Sequence, residues 1–125
     1  MSSAPRQNET QLTEIDAVFA AFAHPVRRRI LDLLQTSPGM TVKAVSSHFD
    51  ISRIAVMKHI TTLENANLVL SEPHGRERRL FFNVVPIQMI YDRWTDQYSQ
   101  FWAGHLADIQ FRVESAANAR NTKHA

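Results

Sequence analysis

The stretch Thr41–Ala66, TVKAVSSHFDISRIAVMKHITTLENA, decides the fold. Thr41 has the side chain of a helix N-cap, and Val42, Val45 and Phe49 repeat along one face of a short helix of about two turns. The connection Asp50-Ile51 leaves room only for a tight turn. Ser52 is a second N-cap, with Ile51 before it and Val56 inside it at the spacing of a hydrophobic staple. Val56, Ile60 and Leu63 form the inward stripe of the next helix. Asn67 stands where that helix must end in a left-handed residue, a conformation Asn tolerates. Two short helices across a tight turn are a helix-turn-helix arrangement. The helical wheel of the second puts Ile54, Met57, Lys58 and Thr61 outward, with Arg53 at the N-terminal end. That mixture of cation, hydroxyl and apolar atoms suits phosphates, base edges and thymine methyls in a major groove, which at ~12 Å wide admits one helix. The candidate DNA contacts here are Thr41, Lys43, Ser52, Arg53, Ile54, Met57, Lys58, His59, Thr61 and Thr62, with His59 reading as a backbone or phosphate contact.

Downstream, the period changes from helical to alternating. LVLSE (Leu68 to Glu72) is strand-like, PHGR (Pro73 to Arg76) is a turn signal, and Leu80, Phe82 and Val84 alternate with Arg79, Phe81 and Asn83. The expected hairpin carries His74, Arg76, Arg78 and Arg79, cations suited to the DNA backbone or minor groove. A helix-turn-helix followed by a basic hairpin describes a winged helix.

Upstream, Leu12, Ile15, Phe19 and Phe22 mark one face of a first helix, interrupted by His24-Pro25. Val26, Ile30, Leu33 and Leu34 line a second helix that TSPG (Thr36 to Gly39) stops. Pro86 opens a last helix whose stripe Ile87, Ile90, Tyr91, Trp94, Tyr98, Phe101, Trp102, Ile109 and Val113 runs over about 27 residues, roughly 40 Å. A single small domain cannot cover so long an aromatic stripe alone. The first and last helices therefore predict a homodimer held by Leu12, Ile15, Phe19, Phe22, Ile90, Trp94, Tyr98, Phe101, Trp102 and Ile109. The other reading of the aromatic stripe is the wall of a pocket for an unidentified small-molecule effector. The expected fold is mainly α with a β-hairpin, a dimeric winged helix-turn-helix in the order ααααββα. It comprises one domain over 11–115, a flexible arm over 1–10 and a loose tail over 116–125.

Composition agrees with that reading and removes several others. The chain has 125 residues, 44% hydrophobic and 21% charged, the balance of a single globular domain with a real core. It has no Cys, which excludes disulfides, thiolate metal sites, cysteine nucleophiles and sensing by thiol oxidation. No apolar run approaches the ~18 residues of a membrane span, and MSSAPRQNET has no apolar signal core, so the expectation is a cytoplasmic protein away from the membrane. The net charge is +2, but His24 to Asn83 holds nine Lys/Arg against five Asp/Glu, while the remainder holds five against seven. The basic middle fits an anionic partner such as double-stranded DNA. With three Gly and no phosphate loop, clustered carboxylate pair or His-nucleophile pattern, the chain does not read as an enzyme, and no cofactor is expected.

The blocks FAAFAHPVRRRILDLL (Phe19 to Leu34), SRIAVMKHITTLENANLV (Ser52 to Val69) and GRERRLFFNVVP (Gly75 to Pro86) resemble the ArsR-type winged-helix transcriptional regulators. The resemblance spans about residues 12 to 112 and keeps the family's order and spacing. It implies a homodimeric repressor or regulator, with a recognition helix over about 53–66, a wing over about 68–84, and pairing through the first and last helices. The chain departs from the pattern in three places. Asn67 stands where the family often has Gly, Met57 stands where it often has Ser, and VKAVSSHF lacks the Cys pair of the arsenic and cadmium sensors. Some members bind zinc between their C-terminal helices through D-x-H-x10-H-x2-[EH]. The corresponding positions here are Asp92, Trp94, His105 and Asp108, and a Trp cannot ligate zinc. No metal is therefore expected. Of two functional readings, a DNA-binding regulator and an RNA or protein adaptor on a winged helix, the outward cations Arg53, Lys58 and Arg76 favour the first.

Overall fold

A computed structural model describes residues 7–123. The elements are α1 (Gln7–Phe22), α2 (Pro25–Thr36), β1 (Met40–Thr41), α3 (Val42–Ser46), α4 (Arg53–Asn65), β2 (Val69–His74), β3 (Glu77–Phe82), α5 (Val85–Trp94) and α6 (Gln97–Lys123). Local capping decides where most helices begin. Thr41 Oγ1 accepts from the Ala44 N–H at 3.1 Å, and Ser52 Oγ accepts from the Ala55 N–H at 3.1 Å. For α2 the cap is His24, whose Nδ1 accepts from the Val26 N–H at 3.1 Å, with Pro25 preset in the first turn. The orphan carbonyls at the end of α1 are satisfied from α2. Arg27 donates to Ala21 O at 2.8 Å and Ala20 O at 3.1 Å, and Arg28 donates to Phe22 O at 2.6 Å. Helix α4 ends in a Schellman motif, with Leu68 N–H on Leu63 O and Asn67 N–H on Glu64 O, both at 2.9 Å, and Asn67 left-handed at φ 61°.

The sheet is three-stranded and antiparallel in the order β1-β3-β2. β2 and β3 run in register from Val69↔Phe82 to His74↔Glu77. The turn is tighter than PHGR implies, because β2 continues through Pro73 and His74. Proline is tolerated on an edge strand, and Gly75, at φ 62°, takes the first position of a two-residue turn. Strand β1 is an addition to the expected topology: Met40 pairs with Leu80 and Thr41 with Arg79. Two residues carry no period to read, and their pairing is set by β3, far away in sequence.

The core gathers one face of every element from α1 to β3 except β1, whose two residues are half-buried. Ala21, Ile30, Leu34, Val45, Val56, Ile60, Leu63, Leu68 and Leu80 have no exposed surface, each of the larger ones contributing about 1.5–3 kcal/mol by burial. In α2 the buried residues are Ile30, Leu31 and Leu34, whereas Leu33 of the expected stripe is only half-buried. The staple does not close as a buried pair: Val56 is buried, but Ile51 keeps 41% of its surface.

The C-terminal region differs most from expectation. The single last helix is two, broken at Thr95-Asp96, so the order is ααβααββαα. Asp96 Oδ1 accepts from the Ser99 N–H at 2.9 Å and from Ser99 Oγ at 3.2 Å, making it the cap of α6. Those bonds hold its carboxyl below the usual carboxylate range. Thr95 Oγ1 donates to Tyr91 O and Ser99 Oγ to Trp94 O, satisfying the end of α5. Helix α6 continues to Lys123 where a loose tail is expected, because Ala116, Ala117, Ala119 and Arg120 favour helix and no Gly or Pro follows Gly104. Likewise the expected arm is helical from Gln7, with Glu9 favourable in the first turn of α1. The rest of the arm (1–6) and of the tail (124–125) lies outside the described residues. The chain divides into two compact units after Gln88. The physical reason is that no residue of 89–121 is buried, so this part adds nothing to the core.

Candidate nucleic-acid interface

Helix α4 has two unlike faces. Val56, Ile60 and Leu63 are fully buried, while on the opposite side Ile54 is 70% and Met57 40% exposed. Ile54, Met57, Lys58, Thr61 and Thr62 line one shallow surface depression. Thr61 Oγ1 donates to Met57 O at 3.0 Å and Thr62 Oγ1 to Lys58 O at 3.1 Å. Each hydroxyl oxygen thus keeps its lone pairs for an outside donor, such as a base amino group. Arg53 is exposed in the first turn and Lys43 is exposed on α3. Thr41 and Ser52 are committed differently: their hydroxyl oxygens cap α3 and α4, which fixes the two helices of the motif.

His59 is not on this face. It is half-buried against α2, with Nδ1 3.2 Å from Arg27 Nη1 and its ring 4.3 Å from that of His24. Since Arg27 can only donate, His59 Nδ1 accepts and is unprotonated. Burial first, then the neighbouring His24 and Arg27, push the imidazole below its ordinary range. This corrects its expected place at the groove. The wheel carries the signal, since His59 adjoins the inward positions Val56, Ile60 and Leu63.

The wing divides its cations. Arg76 is exposed at the turn. Arg79 lies across from Glu72 and its Nη2 is 3.1 Å from His74 Nε2, on the outward face of the hairpin. Arg78 is placed otherwise. It shares the face of Leu80 and Phe82, and its Nη1 donates to Glu64 Oε1 of α4 at 3.3 Å. Strand parity carries the signal, since Arg78 is two residues from Leu80.

Helix α1 buries Val18 and Ala21, while Leu12 and Phe19 stay 43% and 47% exposed and Ile15 and Phe22 are half-buried. In α5 and α6, Trp94, Tyr98, Phe101 and Ile109 are exposed, while Ile90 and Trp102 are half-buried. The Trp102 ring meets Tyr98 and Phe101 at 6.0 Å and His105 at 5.2 Å. Asp92 on α5 and His105 and Asp108 on α6 are exposed. Among the described residues no three His, Asp or Glu side chains gather into a metal-holding group.

A family model described as a helix-turn-helix domain matches residues 22–72. The uncharacterized HTH-type transcriptional regulator YuzN of Bacillus subtilis (strain 168) is 34% identical over 87 residues, 65% of this chain and 95% of that protein. The transcriptional repressor SdpR of the same organism is 36% identical over 59 residues, 47% of this chain and 64% of its own length. Among solved structures, an ArsR-like transcriptional regulator from Rhodococcus sp. RHA1 superposes with a TM-score of 0.61 at 28% identity, covering 82% of this chain and 93% of that one. The chain belongs to the ArsR family of winged helix-turn-helix transcriptional regulators.

Proposed function

We propose that this regulator is a sequence-specific DNA-binding repressor that acts as a homodimer. Helix α4 enters the major groove, and the β2–β3 wing lies on the backbone or in the minor groove. The observation that carries this reading is the two-faced α4. One side is sealed into the core, and the other presents Ile54, Met57, Lys58, Thr61 and Thr62 together, with Arg53 at the end where recognition helices touch bases. Arg76 and Arg79 supply backbone charge from the wing. The exposed Leu12 and Phe19 of α1 and the exposed stripe of α6 are the surfaces a two-fold dimer would bury. The similarity to SdpR, a transcriptional repressor, supports repression rather than activation. Among the described residues no helix is long and apolar enough to cross a membrane.

The test is a binding isotherm on the DNA upstream of the protein's own gene and on random DNA of equal length, at several salt concentrations. Specific binding is expected to exceed non-specific binding by at least about a thousandfold. Equal affinity for both DNAs would overturn the reading in favour of an adaptor.

A further inference from the structure

We infer that Glu64, Ser71 and Arg78 form a brace that fixes the wing to the recognition helix, making Arg78 a positioning residue rather than a phosphate contact. Glu64 sits in the last turn of α4, where the helix dipole disfavours an acid. Its carboxylate is compensated from the hairpin. Arg78 Nη1 donates to both oxygens, at 3.3 and 3.5 Å, and Ser71 Oγ donates to Oε2 at 3.4 Å. Ser71 Oγ also lies 3.5 Å from Arg78 Nη1, so three elements meet at one cluster. Its level along the hairpin gives it leverage. Below it, Val69 and Leu80 are buried and Asn83 ties the base to Asn67 O at 2.9 Å. Beyond it, every residue from Glu72 to Glu77 is exposed. The brace is therefore the last inward contact before the basic tip, and it sets the angle at which the tip leaves the domain.

The inference rests on the DNA-binding reading above, because a preset wing angle matters only if the tip must meet a phosphate track. A wing that swings must be ordered on binding, which costs affinity without removing any contact to DNA. The two roles for Arg78 thus differ in sign and in salt dependence. Loss of a phosphate contact flattens the salt dependence by about one unit per contact, whereas loss of a brace leaves it unchanged. Neutralising an acid close to a polyanion strengthens binding, whereas neutralising one arm of a brace weakens it.

Glu64→Gln and Arg78→Gln in the full chain test this, each with two readouts. The first needs no DNA: amide hydrogen exchange across 72–79 should quicken in both variants, while the α4 amides of Ile60 and Leu63 stay protected and report an intact fold. The second is the binding isotherm on operator DNA. Both variants should lose about two- to fivefold in affinity, the scale of a part-exposed ion pair, with the wild-type salt slope. Unchanged exchange at the wing, a tighter-binding Glu64→Gln, or a flattened slope in Arg78→Gln overturns the brace. If the wild-type protein binds no DNA specifically, the functional reading fails, and the exchange data still decide whether the brace holds the wing.

Discussion

Asn67 joins the recognition helix to the wing, and its substitution gives a magnitude that can be worked out in advance. Among the described residues it is the one non-glycine position with positive φ, at 61°. Its main chain serves three hydrogen bonds. Its N–H meets Glu64 O, it sets up Leu68 N–H on Leu63 O, and its carbonyl accepts from Asn83 Nδ2, each at 2.9 Å. All three require the left-handed conformation, which costs an ordinary L-residue about 1–2 kcal/mol and Asn less, through its local hydrogen bonding. Asn67→Ala should therefore lose about 1 kcal/mol, and Tm should fall by about 4–8 °C if the winged unit unfolds like a domain of its size. Asn67→Val should lose more, because a branched Cβ is worst at positive φ. Asn67→Gly removes the strain but adds unfolded-state entropy, so the two effects nearly cancel and stability should stay within about 0.5 kcal/mol. Urea unfolding followed by circular dichroism, at one protein concentration so that dimer linkage is constant, measures the series. Equal stability of the Ala and Gly variants would refute the reasoning, since the left-handed backbone should cost Ala more than the added unfolded-state entropy costs Gly.

Further outcomes follow from the interface and its surroundings. Arg76→Ala should weaken binding to operator and random DNA alike and flatten the salt slope by about one unit, whereas Lys58→Ala or Arg53→Ala should cost about 1–3 kcal/mol mainly on the operator if the side chain reaches a base edge. Isotherms on both DNAs check the division, and the opposite pattern would exchange the two roles. The lowered imidazole of His59 means that the unfolded chain binds its proton more readily than the folded one. Stability should be full above about pH 6.5 and fall as the pH drops below it, more weakly in His59→Gln; a denaturation series at constant salt reads this, with His24 and Arg27 the facing titratable and charged groups. Light scattering at micromolar concentration should give a dimer mass for the wild type and a smaller one for Phe101→Glu, because Phe101 is 80% exposed on the stripe of α6; a wild-type monomer would end the dimer proposal.

Much of the winged fold was legible because its signals are local. Thr41, Ser52 and Asn67 each announce a helix terminus by their own chemistry, and Val56, Ile60 and Leu63 show a period that the core then uses. What escaped depends on distant partners or on a pattern that hides a break. The two residues of β1 exist as a strand only through β3. Trp94 and Tyr98 are four apart, so the aromatic stripe continues across the Asp96 cap as though the helix did. At the site, the outward face of α4 was readable from the wheel, but the partners of the border residues were not. His59 meets Arg27 across a separation of 32 residues, and Arg78 meets Glu64 across 14. Position on the recognition helix marks His59 for DNA and charge on the hairpin marks Arg78, whereas their contacts inside the domain depend on residues far away in sequence.

The register of the hairpin bears on how such a protein can diverge. Because Arg78 faces inward and Arg79 outward on adjacent positions of β3, inserting or deleting one residue between Arg79 and Leu80 would exchange their faces. The cation that Glu64 neutralises would be sent into solvent, and a second one would be forced against α4. Paired changes, one residue on each strand, relocate both side chains together, and two on each strand return them to their original faces. Length changes at the base of the wing in descendants of this sequence should accordingly come in even steps, whereas residues added between Arg78 and the turn leave the inward charge with its partner and the reach of the tip free to vary.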